Sequence, residues 1–156
     1  MKLSQPTRRQ FLAAAAALLP RFSHAADNAV APVRLGFIGV GSRGSTLLRL
    51  LAQQPGTQIV AVCDNEPAKL DRAKKIVTDA GRPAPATLAD WKKLLEHRDV
   101  DVVVSALPVD LHAACYLDVL AAGKDLYAEK PLGLTVAEGD AVQKAADRSG
   151  EDRSEH

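Results

Sequence analysis

The stretch Val33-Arg34-Leu35-Gly36-Phe37-Ile38-Gly39-Val40-Gly41-Ser42-Arg43-Gly44 decides the fold. Val33 to Val40 is a nearly continuous apolar run, the pattern of a strand buried on both faces. Gly39 to Gly44 fits G-x-G-x-x-G. Arg43 to Gln53 then reads as a helix, with Leu47, Leu48, Leu50 and Leu51 on an inward stripe. The hexapeptide alone is a weak signal. Here it follows a strand, opens a helix, and is answered by Asp64, twenty residues beyond Gly44 at the end of a second apolar strand, Gln58 to Cys63. That context predicts a dinucleotide site.

Each residue of the turn has a physical task. Gly39 permits the tight turn, Gly41 lets the backbone approach a pyrophosphate, and Gly44 lets helix and sheet pack closely. The free N–H groups at Ser42 and its neighbours then face the anion. Arg43 puts a cation in the first helical turn, against the macrodipole, which makes sense if a pyrophosphate sits there. The plainer reading is a glycine turn with a solvated arginine. Asp64 would accept hydrogen bonds from the adenosine ribose and repel a 2′-phosphate, favouring NAD while leaving NADP open. It also reads simply as a turn residue ahead of Pro67.

Outward from this core the pattern repeats. Pro67 suits the first turn of a helix running to about Ala80. Residues 81–86 are proline-rich loop with room for a short edge strand. Thr87-Leu88-Ala89-Asp90 has capping-box spacing and predicts a helix through about Glu96. Asp101 to Leu107 reads as a strong strand, and Asp110 to Ala122 as a helix stopped by Gly123. Lys124 to Ala128 is a further short strand. Thr135-Val136-Ala137-Glu138 is a second capping box, opening a helix to about Arg148. Alternating strands and helices of these lengths predict an α/β fold: a Rossmann-like, doubly wound parallel sheet in three α/β/α layers.

The chain has 156 residues, 47% hydrophobic and 25% charged, a globular composition. Its 20 basic and 19 acidic side chains give a net charge of +1. Lys2, Arg8, Arg9 and Arg21 precede the first acidic residue, so the chain beyond residue 25 has sixteen basic against nineteen acidic groups, about −3. A basic face for nucleic acid is not expected. Thr7-Arg8-Arg9-Gln10-Phe11-Leu12, the apolar run Phe11 to Leu19, and Ser23-His24-Ala25 predict an export signal over residues 1–25, cleaved after Ala25. The arginine pair resembles the twin-arginine signal, implying periplasmic or other exported localisation. An ordinary secretory signal and an uncleaved tether are the alternatives. Residues 26–32 read as a linker, 33–150 as the dinucleotide-binding domain, and 151–156 as a polar tail. No apolar run reaches the roughly 20 residues of a membrane span, so no membrane association is expected once the signal is removed. Cys63 and Cys115 are expected to be free thiols. No His, Cys or acidic group has metal-ligand spacing. Trp91 and Tyr116 read as core, and His97 as part of a solvated helix end.

Three segments together resemble one family. Gly36-Phe37-Ile38-Gly39-Val40-Gly41-Ser42-Arg43-Gly44 resembles the first turn of the Gfo/Idh/MocA oxidoreductases. Ser105-Ala106-Leu107-Pro108-Val109-Asp110-Leu111-His112 resembles the family's strand-end proline followed by a histidine. Ala121-Ala122-Gly123-Lys124-Asp125-Leu126-Tyr127-Ala128-Glu129-Lys130-Pro131-Leu132 resembles its A-G-K-x-x-x-x-E-K-P-L signature. The resemblance spans about residues 33 to 148. It implies that Gly39, Gly41, Ser42, Arg43, Gly44 and Asp64 bind the dinucleotide. Leu107, Pro108 and His112 would border its ribose and nicotinamide side, and Glu129 would contact the nicotinamide ribose. Lys130 would line the cofactor site and act catalytically, polarising the substrate oxygen during hydride transfer.

Members of that family continue into a second α/β domain that receives substrate, a sugar or polyol. The polar residues after Gly150 predict that this domain is missing, as in a truncated or partial sequence, and that the chain alone turns over little substrate. An apolar face left uncovered would favour self-association, with homo-oligomers one outcome. Three functions stay open: the cofactor domain of an exported NAD(P)-dependent oxidoreductase, an NAD-dependent glycoside hydrolase of the same superfamily, and a non-catalytic nucleotide-binding or interaction module.

Overall fold

The computed structural model of the chain describes residues 31–154. The expected export signal and most of the 26–32 linker lie outside them. Five strands and five helices alternate: β1 (Val33–Ile38), α1 (Ser42–Ala52), β2 (Thr57–Cys63), α2 (Pro67–Asp79), β3 (Ala86–Leu88), α3 (Trp91–Leu95), β4 (Val102–Ser105), α4 (His112–Ala121), β5 (Asp125–Ala128) and α5 (Val136–Ser154). All strand pairs are parallel, in the order β3-β2-β1-β4-β5. After β3 the chain returns to the other side of β1. The strand order therefore reverses between β1 and β4, and a crevice opens beyond their C-terminal ends.

The period-2 alternation of the central strands builds two cores. Leu35, Phe37, Ile59, Val62 and Val104 face α1 and α2, meeting Leu48, Ala52, Ala73 and Val77. Ile38, Ala61, Cys63 and Val103 face the other layer, meeting Leu94, Cys115, Tyr116, Val119 and Val142 from α3, α4 and α5. The sheet is thus covered on both sides, the three-layer Rossmann-like α/β arrangement. Burying both faces is what makes the strand sequences read as continuous apolar runs.

Local expectations and structure differ in a few places, each with a cause. The helix expected from Thr87 starts instead at Trp91, because Thr87 and Leu88 pair with Val62 and Cys63 as strand β3. Asp90 is the true cap, accepting the Lys92 N–H at 2.8 Å. Before α4, Val109–Leu111 forms a 3-10 turn following Pro108. The second capping box forms fully: Glu138 N–H donates to Thr135 Oγ1 at 3.2 Å, and Thr135 N–H to Glu138 Oε2 at 3.0 Å. The helix it opens passes Arg148 and runs to Ser154. The turn after α3 is held rather than merely solvated, because Lys124 Nζ donates to the carbonyls of His97 and Val100 at 3.0 and 2.8 Å.

Both cysteines are buried free thiols. Burial pushes Cys63 up to about 12 and Cys115 to about 11. Thiol-specific labelling at pH 8 is expected to leave both unmodified in the folded chain and to modify both in denaturant. Because folding favours the protonated thiols, the stability they lend is complete below the ordinary thiol pKa of about 8.5. It is lost as pH rises toward about 11 and 12. Alkaline unfolding followed by circular dichroism would show the loss.

Candidate functional site

The crevice at the strand ends is built first by the glycine turn. Gly39 has φ +83°, and a Cβ there would lie 2.7 Å from the Ala106 carbonyl oxygen, so the turn and the β4 end approach as only glycine allows. A Cβ at Gly44 would collide with the Gly39 carbonyl. Gly41 is different: a Cβ there would meet nothing within 4 Å. It is the N-cap of α1, and no side chain caps the helix. The open space at Gly41 and the unsatisfied N–H groups behind it suit an incoming anion. Gly39 thus serves the turn and Gly44 the close packing that the spacing predicts, while Gly41 leaves open space at the helix start.

Asp64 is 8% exposed and fastens the turn from β2. Its Oδ2 accepts the Val40 N–H at 3.0 Å and its Oδ1 accepts the Glu66 N–H at 3.1 Å. The second bond is the local turn expected ahead of Pro67. Lys69 Nζ lies 3.8 Å from Asp64 Oδ1 and 2.6 Å from Glu66 Oε1. Ser45 Oγ donates to the Val40 carbonyl at 2.8 Å, holding the turn from the helix side. A cavity of about 420 Å³ opens here, lined by Gly39, Gly41, Asp64, Lys69, Trp91, Leu107 and Pro108 among others. Asp64 and the glycine turn lie at one end of it and the β4 terminus at the other.

Ala106 and Leu107 also border a second cavity of about 550 Å³, shared with Arg43, Val109, His112, Glu129 and Lys130. The two cavities share Ala106 and Leu107, just beyond the end of β4, and so lie side by side along the crevice. The segment 129–131 beyond β5 forms its far wall. Tyr116 donates its hydroxyl to the Glu129 carbonyl at 2.8 Å. His112, 3% exposed, sets Nδ1 2.6 Å from the Pro131 carbonyl oxygen and Nε2 2.9 Å from that of Leu107. A neutral imidazole donates through one nitrogen and a protonated one through both. Its ring lines the groove, but its nitrogens serve the main chain. Arg43 Nε donates to Glu129 Oε1 at 2.6 Å across the groove. Lys130 is exposed at the rim, and its peptide bond to Pro131 is cis.

Most of the residues expected at the site line these two cavities: Gly39, Gly41, Asp64, Leu107 and Pro108 the first, and Arg43, Leu107, His112, Glu129 and Lys130 the second. Ser42 lines a neighbouring hollow with Gly41, and Gly44 is buried in the first turn of α1. Sequence reading missed three contributors. Trp91 packs against the second core as expected, and it also lines the first cavity while its Nε1 donates to Asp118 Oδ2 at 2.9 Å. Lys69 and Tyr116 act through partners far away in sequence or across a turn, and no motif marks them. Among the described residues no group of three or more His, Cys, Asp or Glu could hold a metal ion, and no helix is long and apolar enough to cross a membrane.

Residues 33–153 match the model of the Gfo/Idh/MocA oxidoreductases, described as an oxidoreductase family with an NAD-binding Rossmann fold. A glycosyl hydrolase family 109 protein of Stenotrophomonas maltophilia is 39% identical over 140 residues, covering 83% of this chain and 30% of that protein. Scyllo-inositol dehydrogenase from Lactobacillus casei, solved with NAD(H) and scyllo-inositol, superposes with a TM-score of 0.69 at 26% identity, over 77% of this chain and 34% of that one. The 3-ketoreductase KijD10 from Actinomadura kijaniata, solved with NADP and TDP-benzene, superposes at 0.68 and 28% identity, over 76% and 35%. The chain spans about a third of the length of the proteins it matches. Matched over residues 33–153 and folded as a Rossmann-like sheet, it belongs to the Gfo/Idh/MocA oxidoreductase family as an NAD-binding domain.

Proposed function

We propose that this chain is the cofactor-binding part of an exported, NAD-dependent enzyme that removes hydride from a carbon of a sugar or polyol. The observation that supports this best is the pair of adjoining cavities that share Ala106 and Leu107, one lined by Gly41 at the uncapped start of α1, the other by Glu129 and Lys130. Together they have a place for each part of a dinucleotide. When bound, NAD supplies the hydride acceptor. The chain's own residues do the rest. The first turn of α1 receives the pyrophosphate through its N–H groups. Asp64 accepts from the adenosine ribose, and its charge opposes a 2′-phosphate. Glu129 accepts from the second ribose. Lys130, with no hydrogen bond or ion pair among the described residues, is free to meet the substrate oxygen and stabilise the negative charge that develops there.

A second reading is favoured by the family 109 relative, which is named a glycosyl hydrolase and shares 39% identity. In it the same hydride removal serves glycoside cleavage, without net oxidation of the sugar. Both readings require NAD binding. Calorimetry on the full chain is expected to show one site, with NAD at least about tenfold tighter than NADP, a difference of about 1.4 kcal/mol. Absence of heat with either nucleotide contradicts both. The product of the whole reading frame containing this segment then separates them. Accumulating NADH with free sugars marks the oxidoreductase; release of the leaving group from aryl glycosides without NADH marks the hydrolase. Export is tested by fusing residues 1–30 to a reporter that is active only after folded export. Transport that persists without the twin-arginine translocase contradicts that route.

A further inference from the structure

We propose that Arg43 is a positioning residue for the nicotinamide-ribose half of the groove, holding the Glu129 carboxylate in place across its mouth. The inference rests on the dinucleotide reading above and adds a division of labour within it: Arg43 serves the second ribose through Glu129, not the pyrophosphate.

Three observations carry it. The first is geometric. Arg43 Nε and Glu129 Oε1 are 2.6 Å apart, joining the start of α1 to the segment after β5, 86 residues later. The Glu129 side chain is 16% exposed and that of Arg43 60%, so the carboxylate sits within the wall and the guanidinium reaches over to it. The second concerns freedom. The main chain around Glu129 is already fastened by Tyr116 at the Glu129 carbonyl and by His112 at that of Pro131. What remains free is the Glu129 side chain, and Arg43 supplies its only hydrogen bond among the described residues. The third is electrostatic. A cation in the first turn of a helix opposes the helix dipole. Arg43 sits there with no acidic neighbour in that turn, and its side chain's only hydrogen bond among the described residues is to Glu129. The helix gains nothing from this arginine; the opposite wall does.

Fragments of the dinucleotide separate this role from direct contact with phosphate. ADP carries the adenosine ribose and pyrophosphate; ADP-ribose adds the second ribose; NAD adds the nicotinamide. Calorimetry on the full 156-residue chain would compare all three ligands for wild type, R43Q, R43K, E129Q and the double variant R43Q/E129Q. R43Q is expected to weaken NAD and ADP-ribose about tenfold, the loss of one well-placed charged hydrogen bond. ADP affinity should change less than about twofold by the same measure. E129Q should show the same selectivity, the double variant should be no weaker than E129Q, and R43K should recover part of the loss. The melting temperature of R43Q should not fall, since Arg43 is mostly exposed and unfavourable to its helix. An equal loss for ADP and NAD would overturn the proposal in favour of direct phosphate contact. So would additive losses in the double variant, or unchanged NAD binding by R43Q. Wild type binding none of the three would instead remove the dinucleotide reading itself, a result told apart by that control alone.

Discussion

Replacing Gly44 by alanine is expected to lower the stability of the domain by roughly 3 kcal/mol and to abolish nucleotide binding. The added methyl would collide with the Gly39 carbonyl, part of a turn already wedged against Ala106. Neither backbone can yield without shifting α1 off β1 or moving the turn off β4. That cost is a large fraction of the roughly 5–15 kcal/mol by which such domains are stable. The same substitution at Gly41 has the opposite profile. Its Cβ would meet nothing within 4 Å, and its φ of −65° is open to any residue, so melting should be nearly unchanged. The methyl would stand where the pyrophosphate approaches, and NAD affinity should fall at least about tenfold. Thermal denaturation and calorimetry on the two variants read both effects. Equal melting temperatures for the two would contradict the packing role of Gly44.

Asp64→Ala is the second large effect. It leaves the buried Val40 N–H and the Glu66 N–H without their acceptors, at a cost of about 2–3 kcal/mol together, and it removes the proposed acceptor for the adenosine ribose. Stability in urea and NAD binding should fall together. Asp64→Asn separates the two tasks. The amide oxygen still accepts from Val40, so the fold is largely kept, while the lost charge no longer repels a 2′-phosphate. The preference for NAD over NADP should narrow. A variant that keeps the full preference would show that Asp64 does not set it.

Most of the central sheet was legible because its strands are buried on both faces. Val33–Ile38, Thr57–Cys63 and Val102–Ser105 read as apolar runs for that reason, and their bounds fell within a few residues of expectation. The glycine turn was legible because steric need selects Gly39 and Gly44 at a fixed spacing. Residues 87–90 misled because capping-box spacing is a local signal, and strand pairing with Val62 and Cys63 outweighs it. The groove's far wall was legible only through resemblance. Nothing local in Glu129-Lys130-Pro131 announces a site, and its fastening by Tyr116, His112 and Arg43 depends on contacts between segments 13 to 86 residues apart. Trp91 shows the same limit, since its pattern marks an apolar face without saying whether protein or ligand covers it.

The central claim is that one groove, from the start of α1 to Glu129, receives a dinucleotide. Amide NMR on the full chain titrated with NAD tests it most directly, because it reads every segment of the wall at once. Saturable shifts are expected at Gly41, Ser42, Arg43, Gly44, Asp64, Leu107 and Glu129, with the residues lining the separate hollow between β5 and α5, such as Gln143 and Ala146, unmoved. Saturation with shifts confined to that second hollow, or no shifts at millimolar NAD, would contradict it.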